Sequence, residues 1–123
     1  MEKVTVTATG SYDVLIGRDL CKQVGSLAAE RMKPSRVLLI SDAQVGPLYI
    51  PDVKKSLVDC GFSVQELLLP VGEEEKTPAR LVEILEVAAQ KGLTRSDRFA
   101  ALGGGVVGDI TGLAAGLYLR GVE

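Results

Sequence analysis

Three short strand-like runs, at residues 36–41, 62–69 and 98–102, alternate with segments of helical spacing, and no feature of this chain limits its fold more. The first, Arg36-Val37-Leu38-Leu39-Ile40-Ser41, is a continuous apolar run, the pattern of a strand buried on both faces of a parallel sheet. The second stops at Pro70, and the third runs straight into Gly103-Gly104-Gly105. Helices are expected at 52–60, with Gly61 as the stop signal, and at 77–92. In the latter, Thr77-Pro78 sets up a cap and Leu81, Ile84, Leu85 and Ala88 form an apolar stripe. A helix at 19–31 would align Leu20, Val24, Leu27 and Ala28, with Asp19 placed to cap it. A largely apolar helix follows the glycines over 107–119, while residues 3–8 and 12–16 read as a strand pair at the sheet edge. Such alternation argues for βαβ units: an α/β fold with a mostly parallel sheet, helices on both faces, opened by a β-strand pair.

At 123 residues the chain makes a single domain, 1–123, and with 46% hydrophobic residues it has the material for a core, which excludes intrinsic disorder. Its 14 basic against 16 acidic residues give a net charge of −2, so no basic field draws in nucleic acid or anionic lipid. Histidine is absent, and Cys21 and Cys60 match no metal spacing; they read as buried free thiols. Residues 99–119 are apolar enough to invite a membrane reading, but Asp109 and the glycine triplet oppose it. No secretory signal is visible, and a cytoplasmic location is the expectation.

Ligands of open parallel sheets bind outside the carboxyl ends of the strands. Gly103-Gly104-Gly105-Val106-Val107-Gly108 matches the G-x-G-x-x-G pattern directly after a strand and at the start of a helix. Backbone without side chains can approach a pyrophosphate there, although glycines also serve sharp turns. Asp109 can stabilise the helix dipole, accept from a ligand hydroxyl, or both. Asp42 can cap the next turn or accept a ribose hydroxyl pair. Glu73-Glu74-Glu75-Lys76 is either a solvated turn or part of the same rim, and Arg120 either satisfies a helix end or holds an anion. Gly108, Gly112 and Gly116 leave one side of the last helix smooth, suited to close packing against a sheet or a partner.

The block Ala101-Leu102-Gly103-Gly104-Gly105-Val106-Val107-Gly108-Asp109-Ile110-Thr111-Gly112, with Tyr118-Leu119-Arg120-Gly121 beyond it, closely resembles 3-dehydroquinate synthases. The family's upstream loop is matched by Gly72-Glu73-Glu74-Glu75-Lys76 and its aspartate after the preceding strand by Asp42. The resemblance implies a Rossmann-like N-terminal domain that binds NAD. It points to Asp42, Glu73 and Lys76 for the adenosine side, Gly104, Gly105, Val106 and Gly108 for the pyrophosphate, and Asp109 for the nicotinamide-side ribose. Arg120 would reach the substrate phosphate of a neighbouring subunit, which implies a homodimer. The reaction implied is loss of phosphate from the sugar acid phosphate DAHP to give 3-dehydroquinate, in the shikimate pathway, with NAD oxidised and regenerated within each cycle.

The family is about three times longer, and its later part supplies a divalent metal, zinc or cobalt, and most substrate contacts. No catalytic residue is therefore assigned within these residues, and the chain on its own is expected to lack cyclase activity. Two alternatives stand beside this reading. One is the cofactor domain of another sugar phosphate cyclase or of a glycerol-dehydrogenase-like enzyme. The other is a non-catalytic nucleotide-binding or dimerising module, because the apolar last helix calls for a partner.

Overall fold

The structure, a computed structural model, describes residues 1–123. Three parallel strands, β3 (Arg36–Asp42), β4 (Ser63–Leu69) and β5 (Arg98–Ala101), form a sheet in the order β4-β3-β5. Central β3 alternates as its buried pattern demands. Leu38 and Ile40 pack with Ile84, Ala88, Val107, Ile110 and Ala114 on one face, and Val37 and Leu39 pack with Ile50, Val53, Leu57 and Phe62 on the other. Those partners come from α3 (Pro78–Gln90) and α4 (Gly105–Leu117) on the first face and, on the second, from α2 (Gly46–Asp59) and from Phe62 just before β4. The sheet is thus covered on both sides, as expected of a Rossmann-like arrangement.

The local signals explain most boundaries. Thr77 Oγ1 accepts from the Arg80 amide at 3.3 Å and starts α3. Gly61, at φ +96°, ends α2, and the Phe62 amide reaches back to the Leu57 carbonyl at 3.0 Å while its ring packs in the same cluster.

Five expectations need correction. The strand pair, β1 (Glu2–Thr7) and β2 (Ser11–Ile16), is not an edge of the main sheet but an antiparallel two-stranded sheet of its own. Its polar side, with Thr5 bonded to Asp13 at 2.7 Å and Asp13 paired with Arg31, has no place in a buried layer. The helix expected at 19–31 shrinks to a short 3-10 turn, Leu20–Lys22, and α1 (Val24–Ala29). Asp19 makes no cap bond, and the Gly25 amide leaves the helical ladder to donate to Ser56 Oγ of α2 at 2.8 Å. Helix α2 begins six residues earlier than residue 52, because Pro47 suits a first turn and Pro51 lies on the exposed side. Helix α4 likewise starts inside the glycines, at Gly105. The two thiols, expected to be buried, are free and only half-buried.

No helix is long and apolar enough to cross a membrane. The outer side of α4 is bare: a Cβ at Gly108, Gly112 or Gly116 would meet nothing within 4 Å, and Leu113 and Leu117 beside them are about half exposed.

Candidate functional site

The order β4-β3-β5 places successive strands on opposite sides of β3, with α2 after β3 and α4 after β5 on opposite faces. The chain therefore reverses direction across the sheet between β3 and β5, and a crevice opens at their carboxyl ends, where ligands of such sheets sit. Asp42 ends one of these strands and Gly103 follows the other. Two bonds clamp them together: the Leu102 amide donates to the Ile40 carbonyl at 2.9 Å, and Ser41 Oγ donates to the Leu102 carbonyl at 2.7 Å.

Only one of the three consecutive glycines is required by the chain itself. Gly103 has φ +155°, and a Cβ there would lie 3.1 Å from a Val107 methyl. Gly104, Gly105 and Gly108 have ordinary φ values, and a Cβ on any of them would meet nothing within 4 Å. In α4, Gly105, Gly108, Gly112 and Gly116 each weaken the helix by about 1 kcal/mol relative to alanine. A Cβ at any of the four would meet nothing within 4 Å, so no close packing within the chain calls for glycine there.

The N-termini of the long helices differ in the same sense. Thr77 caps α3, and Asp42 Oδ1 accepts from the amides of Gln44 at 2.9 Å and Val45 at 2.7 Å in the turn that leads into α2. Helix α4 opens on Gly104, which has no side chain to cap it. The amides of Gly105, Val106 and Val107 therefore face the crevice end of α4 with no side-chain acceptor and with the positive end of the helix dipole behind them.

The loop after β4 completes the rim. Gly72, at φ +127°, turns the chain into a short 3-10 helix, Glu73–Glu75; a Cβ on Gly72 would run into the Glu74 carboxylate. From its end, Lys76 reaches Asp109 of α4, Nζ to Oδ2 at 2.7 Å. That hydrogen bond and the charge of Asp109, with Glu73 nearby, raise the Lys76 ammonium above its ordinary value. Lys76, Thr77 and Leu81 together with Asp109, Ile110 and Leu113 line a cleft of about 230 Å³. Glu73 is exposed and free of any ion pair, whereas Glu75 is held by Arg80 at 2.7 Å.

The structure therefore brings Asp42, Lys76, Gly104, Gly105, Val106, Gly108 and Asp109 to one end of the sheet, with Glu73 at its margin. Arg120 is not among them. It lies exposed past the far end of α4, roughly 20 Å of helix away, at φ +68°. The Lys76–Asp109 pair and the Ser41 clamp were missing from the sequence reading. A serine closing an apolar run that is otherwise fully buried is the signal that could have drawn attention to Ser41.

No three His, Cys, Asp or Glu side chains converge in a way that could hold a metal. With histidine absent as well, the donors present do not fit the divalent metal that the sequence resemblance implies. The cradle at Gly104–Gly105–Gly108, open where a Cβ would otherwise stand, does fit a dinucleotide backbone.

In sequence and in fold the chain is similar to known proteins. Residues 66–123 match the family described as 3-dehydroquinate synthase N-terminal. The 3-dehydroquinate synthase of Leuconostoc citreum is 41% identical over 90% of this chain, and that of Leuconostoc mesenteroides is 40% identical over 99% of it. The alignments cover 31% and 35% of those proteins, so the chain spans about a third of their length. A crystal structure of 2-deoxy-scyllo-inosose synthase complexed with carbaglucose-6-phosphate, NAD+ and Co2+ superimposes with a TM-score of 0.87. It is 25% identical and covers 98% of this chain and 33% of its own.

Proposed function

We propose that this chain, an N-terminal 3-dehydroquinate synthase domain in sequence, holds NAD across the crevice between β3 and β5. One observation carries the reading: α4 begins uncapped on glycines whose missing Cβ atoms leave empty space that nothing in the chain uses. Gly104, Gly105, Val106 and Gly108 would line the pyrophosphate, with the free amides of α4 donating to it. Asp109 would accept from the nicotinamide-side ribose, and Asp42, whose Oδ1 is engaged with Gln44 and Val45, would offer Oδ2 to the adenosine side beside Glu73.

Bound NAD supplies a reversible hydride acceptor. The residues of this chain bind and orient it, and none of them is placed to move a proton on a substrate. The reaction of the whole enzyme, conversion of DAHP to 3-dehydroquinate with loss of phosphate, therefore needs the further two-thirds that the curated relatives have. In that assembly Arg120, at the far end of α4, would serve a phosphate of substrate bound by a neighbouring subunit. A cytoplasmic homodimer completes the proposal.

A second reading, a dimerising module, is favoured by the bare side of α4 at Gly112, Leu113, Gly116 and Leu117. Calorimetric titration of NAD into the purified chain, with light scattering on the same sample, separates the two. Saturable one-site binding supports the cofactor reading. A folded dimer that takes up no NAD overturns it in favour of the module.

A further inference from the structure

The segments that frame the crevice, residues 42–46, 70–77 and 102–109, carry Asp42, Glu73, Glu74, Glu75 and Asp109 but a single cation, Lys76. The next positive group, Arg80, is already held by Glu75 at 2.7 Å and by Glu83 at 2.9 Å. An acidic rim opposes any ligand that brings a pyrophosphate, because like charges repel across short distances even near a surface. Asp109 poses the problem most sharply, since it follows the glycine turn within the first turns of α4.

Lys76 sits where that repulsion would be cancelled. It comes from a different loop, 33 positions away in sequence, and places its ammonium 2.7 Å from Asp109 Oδ2. Stability does not account for the pair. The side chains are 41% and 63% exposed, and an ion pair so open to water adds little to stability.

We propose that Lys76 is the counter-ion and positioning residue of Asp109, and that the pair, rather than either side chain alone, allows an anionic dinucleotide to settle on α4. Lys76 occupies Oδ2 and leaves Oδ1 free to accept from a ligand hydroxyl. Its charge keeps the net field at the glycine turn from turning repulsive. The proposal rests on the dinucleotide reading above.

Its test is a double-substitution cycle read by NAD titration of the parent chain, Lys76→Met, Asp109→Asn and the two combined, with Lys76→Arg as the charge-conserving variant. Lys76→Met should weaken NAD about tenfold when Asp109 is present, and by less than about twofold when residue 109 is asparagine, because the charge to be cancelled has gone. Lys76→Arg should stay near the parent. The same factor in both backgrounds, whether large or nil, overturns the proposal, since Lys76 would then act on the ligand directly or not at all. A parent that binds no NAD is a different failure: it removes the dinucleotide reading itself, and the counter-ion role with it.

Discussion

Ser41 Oγ donates to the Leu102 carbonyl at 2.7 Å, from a side chain with no exposure to solvent, and so fixes the spacing between the ends of β3 and β5. Ser41→Ala removes the donor and leaves that carbonyl without its partner, which should lower stability by about 1–2 kcal/mol in urea unfolding. NAD affinity should fall with it, because the glycine turn starts one residue beyond Leu102. An unchanged unfolding midpoint would mean that the clamp is idle.

The empty space above the glycines makes stability and binding move in opposite directions. Gly108→Ala should raise stability by about 0.5–1 kcal/mol, because it replaces a weak helix former where a Cβ meets nothing, yet it should weaken NAD at least about tenfold by filling the cradle. Gly116→Ala, also open but two turns or more beyond, should bring the same gain without the loss. Thermal melting and NAD titration of the two variants check this contrast.

Gly25 shows the reverse case. A Cβ there would run into the Ser56 carbonyl of α2, and the Gly25 amide already donates to Ser56 Oγ at 2.8 Å. Gly25→Ala should therefore force α1 away from α2 and cost about 2–3 kcal/mol, visible in the unfolding midpoint.

Asp97 predicts an acid limb in stability. Burial pushes its carboxyl up, but the amides of Thr94 at 2.8 Å and Arg36 at 3.1 Å, and the Arg36 guanidinium at 2.9 Å, outweigh burial and hold it below the ordinary value. A carboxyl lowered in the folded state contributes stability above its unfolded value, about 3.9, and loses it as pH falls through the lowered one. Between pH 5 and 3, urea midpoints should drop more steeply for the parent than for Asp97→Asn. Parallel slopes would contradict this assignment.

Most of the scaffold was legible because its signals are local. The apolar run of β3, the Thr77 cap and the Gly61 stop each depend on neighbours in sequence, and each appears where its residues call for it. The failures arise where a distant contact prevails. Gly25 gives its amide to α2 and breaks the first helical segment, and the packing of α2 carries it through Pro51. At the site, the glycines and Asp109 were visible as a motif, but no spacing rule links Lys76 to Asp109. That pairing depends on the loop after β4 lying beside α4, which only the folded chain brings about.

The central claim is that the glycine-opened N-terminus of α4, at the reversal point of the sheet, is where a dinucleotide backbone rests. Titration of NAD into the isotopically labelled chain, followed by amide NMR, tests it residue by residue. Saturable shifts concentrated on the amides of Gly104, Gly105, Val106 and Val107, with Asp42 and Lys76 responding and Arg120 still, are the predicted result. Shifts confined to other surfaces, or none at these amides in a well-folded sample, would contradict it.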